Sequence, residues 1–214
     1  MANPYLEKSP MSKKTHWEHV HQVKGSDTAS WYTPHLTRSL GLMKQTGLSE
    51  TAAIIDVGAG QSTLVDDMLD LGYKDLSVLD ISEAAISASA TRIGRRAANV
   101  QWLVGDVTTV DLPGGRYDIW HDRAVFHFLM ESNDRRAYVA QLTHALRPSG
   151  FAIIATFGLE GPLKCSGLDT MRYDASSLSS EIGPAFELVK SVSEMHETPS
   201  GARQQFEYCL FRML

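Results

Sequence analysis

Residues 54–60 read Ile-Ile-Asp-Val-Gly-Ala-Gly, and twenty residues past Gly60 a second apolar run ends in Asp80. An apolar strand over 53–57 delivers the chain into a turn with two glycines, and a helix follows. Glycine lets the backbone approach a bound molecule closely because no Cβ stands in the way. Asp80, closing the next strand over 76–79, is placed to accept hydrogen bonds from a ribose diol. The pair describes a nucleoside-type cofactor lying across the carboxyl ends of two adjacent strands.

The dinucleotide fingerprint asks for a third glycine three positions after the second, where this chain has Thr63. A diphosphate needs a tight helix N-terminus, and a cofactor without phosphates does not. The run Asp56-Val57-Gly58-Ala59-Gly60 resembles the first motif of the class I S-adenosylmethionine-dependent methyltransferases. Three further segments fit in the same order: Leu79-Asp80-Ile81-Ser82, Gly105-Asp106-Val107 and Leu146-Arg147-Pro148-Ser149-Gly150. In that family the second motif holds the ribose, the third holds the adenine amino group, and the fourth precedes the fifth strand. The resemblance covers roughly residues 50–214. It implies S-adenosylmethionine as cofactor, contacted by Asp56, Gly58, Ala59, Gly60, Asp80, Ile81, Asp106 and Val107. It also implies an α/β fold: a doubly wound, seven-stranded, mostly parallel sheet of Rossmann-like type with an antiparallel C-terminal strand hairpin.

The length of 214 residues fits one large domain, or one domain with an N-terminal addition. No stretch reaches the ~18 consecutive apolar residues of a membrane span, and no apolar run behind the first lysines reads as a secretory signal. Cys165 and Cys209 are too few for a disulfide framework, which points to a reducing, cytoplasmic location. The net charge of −5, without a basic stripe, argues against a nucleic-acid partner. Neither nucleic acid nor membrane is expected as a partner, and the oligomeric state is not legible.

Residues 1–12 read as a disordered tail, 13–46 as an N-terminal lid and helix, and 47–214 as the methyltransferase domain. Thr15–Val20 suggests one or two helical turns, and Pro34 at a first helical position starts a helix through about Lys44. Strands over 53–57, 75–80, 100–104, 117–121 and 151–157 alternate with helices over 62–71, 82–93 and 133–146. Ser62, Ser82 and Ser132 are the expected N-caps. A short helix over 174–182 precedes two strands, 186–195 and 204–212, joined by the hairpin signal Thr198-Pro199-Ser200-Gly201. Val-, Ile- and Leu-rich strands separated by helices imply a parallel sheet covered on both faces.

The fourth strand carries Trp120-His121-Asp122-Arg123-Ala124 to the edge where the reacting methyl belongs. The Asn/Asp-Pro-Pro-aromatic motif of DNA and glutamine methyltransferases is absent, which disfavours amide and base N-methylation. The stretch resembles the Trp-Asp-Arg-Gly segment of thiopurine and related thiol methyltransferases, with His121 as an insertion. That likeness places Arg123 against cofactor and substrate. His121, Asp122 and Arg123 are therefore the candidate catalytic residues. An alcohol or amine acceptor needs a base such as His121 or Asp122, whereas a thiolate needs little help. His127, between Phe126 and Phe128, reads as a core histidine.

Paired aromatics in a segment too polar to form a core, with Trp17, Trp31 and Tyr32 flanking residues 22–29, suggest a flap over a ligand. Trp17 and Trp31 are assigned to the cofactor, Tyr32 to the substrate. His16, His19 and His21 lack the cysteine or carboxylate cluster of a metal site, and no metal is expected. After the fifth strand, residues 158–173 should overhang the substrate and offer it Cys165, Arg172 and Tyr173. The expected activity is methyl transfer to a small-molecule acceptor, a thiol or chalcogen for preference. A protein lysine methyltransferase, a cofactor-binding regulator without catalysis and a nicotinamide dehydrogenase are the alternatives. Thr63 and the terminal hairpin weigh against the last.

Overall fold

A computed structural model describes residues 12–23, 25 and 27–214 of the chain. All of the expected tail except Ser12 lies outside the described residues. Two helices come first, α1 (Lys13–Val23) and α2 (Thr37–Gln45). Five strands follow: β1 (Ala53–Val57), β2 (Asp75–Asp80), β3 (Val100–Val104), β4 (Tyr117–Arg123) and β5 (Leu146–Phe157). Between them run α3 (Leu64–Asp70), α4 (Glu83–Ile93) and α5 (Ser132–Ala145). A small hairpin of β6 (Lys164–Cys165) and β7 (Leu168–Asp169) leads to α6 (Ala175–Ile182), β8 (Phe186–Glu197) and β9 (Arg203–Met213).

The seven longer strands form one sheet in the order β3-β2-β1-β4-β5-β9-β8. β1 to β5 pair in parallel, and β9 lies antiparallel to both β5 and β8. This is the expected mostly parallel sheet with a C-terminal antiparallel hairpin. Its central strands are buried on both faces, so consecutive apolar residues serve two different cores. Ile54 and Ile153 pack on one side, Ile55 and Ile154 on the other. That is the reason these strands read as continuous apolar runs instead of alternating ones.

The boundaries differ from expectation in instructive places. α1 runs eleven residues rather than one or two turns, because contacts with the rest of the molecule support it where its own composition does not. α2 starts at Thr37 instead of Pro34, with Leu36 as a cap that offers no side-chain bond. Ser82 caps α4 by accepting the Ala85 N–H, but Thr63 and Glu131, not Ser62 and Ser132, occupy the other two cap positions. The expected turn Leu146–Gly150 lies inside β5: Leu146 already pairs with Tyr117, and a bulge between Tyr117 and Ile119 absorbs the irregularity. Asp174 caps α6 through a capping box with Ser177. No helix among the described residues is long and apolar enough to cross a membrane.

Candidate functional site

β1, β2 and β4 release their chain into one cavity of about 360 Å³ at the carboxyl edge of the sheet. All ten residues expected to hold the cofactor line it: Trp17, Trp31, Asp56, Gly58, Ala59, Gly60, Asp80, Ile81, Asp106 and Val107. Gly58 and Gly60 have φ of 60° and 55°, a left-handed backbone that side chains strongly disfavour. A Cβ at either glycine would also meet the protein itself. At Gly58 it would stand 1.9 Å from Cγ2 of Val125, and at Gly60 it would stand 3.0 Å from the His21 ring. The glycine turn is therefore packed against the turn after β4 and against α1, as well as facing the cavity.

Asp80 is 5% exposed, and its carboxylate accepts the Gly60 N–H at 2.7 Å and the Ser82 N–H at 2.8 Å. Burial pushes its pKa up to about 6, and the two N–H donors offset only part of that cost. Asp106 lines the same cavity and uses Oδ1 to hold the N–H and hydroxyl of Thr108.

The register of β1 against β4 sets Asp56 beside His121. Their side chains meet, His121 Nδ1 lying 2.7 Å from Asp56 Oδ1, while His121 Nε2 lies 2.8 Å from the Ser39 hydroxyl on α2. The result is a buried chain from α2 to the cavity wall that ends on Asp56 Oδ2, which is buried without a partner. His121 thus holds a carboxylate in place and is committed at both nitrogens, so it does not serve as the expected base.

Asp122 also departs from expectation. Neighbouring residues of a strand point to opposite faces, so a His-Asp-Arg run cannot present all three side chains to one ligand. Asp122 faces away from the cavity, fully buried, and accepts from Tyr138 Oη and from the N–H groups of Val125 and Phe126. Desolvation raises its pKa to about 6. Its work is to brace the turn after β4, not to act on substrate.

Arg123, two residues beyond His121, returns to the cavity face. Its Nε donates to Tyr208 Oη at 2.9 Å and one Nη to the Trp31 carbonyl at 2.8 Å, with the guanidinium 4.7 Å above the Phe206 ring. His127 behaves as the core histidine expected: Nδ1 accepts the Phe157 N–H, and burial pushes its pKa down to about 3.

The expected substrate residues divide. Arg123 and Cys165 line the cavity; Tyr32, Arg172 and Tyr173 do not. Arg172 is spent on the Leu159 carbonyl, and Tyr173 is buried in the core beneath the sheet with its hydroxyl on Met171. Cys165 is itself buried, in β6, instead of lying on an open loop. The insert meets the cavity through the β6–β7 hairpin, where Cys165, Leu168 and Asp169 stand. Sequence reading missed His21, Phe128, Phe157, Gln204 and Phe206. Gln204 and Phe206 share one face of β9 by strand alternation, a pattern that marks a face without saying what covers it.

α1 roofs the cavity. Trp17 packs edge-on against Phe128 at 5.0 Å and Trp31 at 6.0 Å. Lys13 pairs with Asp134 on α5 across the mouth, an exposed contact of a kind worth about 0–1 kcal/mol. Glu18 accepts from the Ser82 hydroxyl and the Ala84 N–H at the start of α4. These bonds hold its pKa below the usual carboxylate value. That latch is present at neutral pH and lost as pH falls through the lowered value. Glu18→Ala should cost about 1 kcal/mol, the scale of a helix cap, and lower Tm by about 2–4 °C. Limited proteolysis between residues 22 and 30 should accelerate severalfold, and an unchanged cleavage rate would show the aromatic packing alone to hold the roof.

Among the described residues no group of three His, Cys, Asp or Glu side chains is placed to hold a metal ion. Known proteins resemble the chain at several levels. The profile of a family described as "Methyltransferase domain" matches residues 54–150. The eEF1A lysine and N-terminal methyltransferase of Mus musculus is 27% identical over 119 residues, 56% of this chain and 17% of that protein. EEF1A lysine methyltransferase 2 of Homo sapiens is 21% identical over 162 residues, 69% of each. The chain thus spans only about a sixth of the length of the first of these relatives. A solved structure described for conversion of a disulfide bond into a thioacetal group during echinomycin biosynthesis superposes with a TM-score of 0.75. It is 18% identical, and the match covers 92% of this chain and 90% of that one. The 1,6-didemethyltoxoflavin-N1-methyltransferase of Burkholderia thailandensis, with its substrate and S-adenosylhomocysteine bound, gives a TM-score of 0.69. It is 19% identical over 96% and 92% of the two chains.

Proposed function

The chain carries a class I S-adenosylmethionine-dependent methyltransferase domain, and from that premise we propose that it methylates a small-molecule acceptor whose nucleophilic atom is a thiol or related soft group. The observation that carries this reading is the acceptor end of the cavity, which is walled by aromatic rings and roofed by α1.

Bound in the cavity, S-adenosylmethionine would supply an electrophilic methyl group to an acceptor lone pair, with S-adenosylhomocysteine as the leaving group. The lining suits such a group: two glycines with positive φ, a buried acid at the end of β2 that would accept from the ribose, and Asp56 Oδ2 without a partner that would take an ammonium. The chain's own residues align the acceptor and exclude water. Arg123 lowers the pKa of an acidic acceptor beside it by favouring the anion. His121 and Asp122 are committed elsewhere, and His127 stays neutral and buried. An acceptor that ionises readily suits this site better than an alcohol or an amine.

Methylation of a protein lysine is the second reading, supported by the names of the curated relatives. A transfer screen across thiols, phenols, amines, carboxylates and lysine peptides, read by S-adenosylhomocysteine production, separates the two. Turnover confined to lysine peptides would overturn the small-molecule reading.

A further inference from the structure

β8 closes one side of the sheet, and among the described residues no strand lies beyond it. It pairs with β9 in unbroken register from Lys190 to Glu197, after a bulge between Leu188 and Lys190. An edge strand presents a row of N–H and C=O groups to any other strand, and proteins ordinarily shorten, cover or break such an edge. In β8 only the two ends are treated this way. At one end the bulge interrupts the strand, and at the other His196 is buried and donates to the Ser30 carbonyl. Between them Lys190, Ser191, Ser193 and Met195 are exposed, and Val192 and Glu194 are partly so.

The open stretch reads Lys190-Ser191-Val192-Ser193-Glu194, with opposite charges at equal distances from Val192. Successive residues of a strand turn their N–H and C=O groups to opposite edges. Two copies pairing antiparallel must therefore match outward-turned residues with outward-turned ones. That places the two-fold axis on a residue, never between two. An axis on Lys190 sets lysine against lysine, and one on Glu194 sets glutamate against glutamate. An axis on Ser191 or Ser193 gives neither charge an opposite one. An axis on Val192 sets Lys190 of each copy across from Glu194 of the other, and Ser191 across from Ser193. Directly opposed residues share a face, where unlike charges stabilise and like charges destabilise. The same register brings Met195, 45% exposed, to the end of the other strand that carries Val189, 51% exposed.

We propose that β8 is a docking edge for a second copy of this chain, paired antiparallel about a two-fold axis at Val192. The two seven-stranded sheets then run on as one. α2 supports both charges from the face of the sheet, because Arg38 pairs with Glu194 and Lys190 donates to Gln45. The contact is isologous, so it closes at two copies and leaves no further edge of the same kind. It is also short, which sets a weak dimer with Kd on the order of 10 μM. The inference goes beyond the proposed activity and does not depend on which acceptor is methylated.

The test is sedimentation velocity on the full chain across a concentration series from about 1 to about 300 μM, a range that brackets the expected Kd. The wild type should pass from monomer to dimer across the series. Lys190→Glu and Glu194→Lys each put like charges opposite one another twice, and each should weaken dimerisation about tenfold or more. An equimolar mixture of the two variants restores both unlike pairs and should recover the dimer. Neither residue lines the cavity, and thermal unfolding checks that each variant is folded. A wild type that stays monomeric throughout would overturn the inference. So would a dimer that Lys190→Glu leaves intact, or folded variants that fail to associate when mixed. The wild-type series and Lys190→Glu decide the matter even where Glu194→Lys, deprived of its Arg38 contact, does not fold.

Discussion

Gly58→Val is expected to abolish S-adenosylmethionine binding and to lower stability more than Gly60→Val. Two costs combine at Gly58. Its φ of 60° is a region that β-branched residues avoid, at roughly 1–2 kcal/mol. Its Cβ would also fall 1.9 Å from Val125 Cγ2, a distance that forces one of two turns to move. Both turns border the cavity, and Asp122 holds the second one rigid through two backbone N–H groups. At Gly60 the neighbour is the His21 ring, 3.0 Å away, a side chain on α1 that can give way. Calorimetry with S-adenosylmethionine and thermal unfolding of both variants test the ranking. A Gly58→Val protein that binds the cofactor at wild-type affinity would remove the cofactor from this turn.

Asp80→Asn should weaken S-adenosylmethionine binding about tenfold or more at pH 7.5, because a charged acceptor for the ribose hydroxyls contributes roughly 1.5–3 kcal/mol. The pH dependence gives a second, independent signature. With its pKa raised to about 6, Asp80 is charged at pH 7.5 and largely neutral at pH 5. Wild-type affinity should therefore fall as pH drops through about 6, and Asp80→Asn should flatten that part of the profile. Folding moves the other way. A carboxyl whose folded pKa lies above its unfolded value of about 3.9 binds protons more tightly in the native state. Its contribution to stability then falls as pH rises from about 4 to about 6. Asp122, also raised to about 6, adds to the same trend. Affinity that stays level between pH 5 and pH 7.5 in the wild type would show that the ionised carboxylate is not what the cofactor meets.

The sheet and the glycine-turn side of the cavity were legible because they depend on short-range chemistry. Apolar runs bounded by glycine and aspartate mark β1 and β2 directly, and β2 occupies the residues expected of it, 75–80. Positive φ at Gly58 and Gly60, an acid at the end of β2, and a third acid after β3 all lie within a few residues of the strands that carry them. The side of the cavity at the end of β4 was legible only in part. His121, Asp122 and Arg123 stand together in the chain, yet the pleat sends the middle one to the opposite core, where Tyr138 meets it. Arg172 and Tyr173 carry suitable chemistry but are used up by a carbonyl and by the core.

Local pattern, then, determined which segments become strands, where the backbone turns left-handed, and which acids line the cavity. Those outcomes follow from sterics and periodicity within some twenty residues. Tertiary structure decided which polar groups remain available. Whether His121 is a base or a brace depends on Ser39, which lies 82 residues earlier in the chain. Whether Arg123 has a nitrogen to spare depends on Trp31 and Tyr208, 92 and 85 residues away. Hydrogen-bond capacity is finite, and only the folded chain shows where it has been spent.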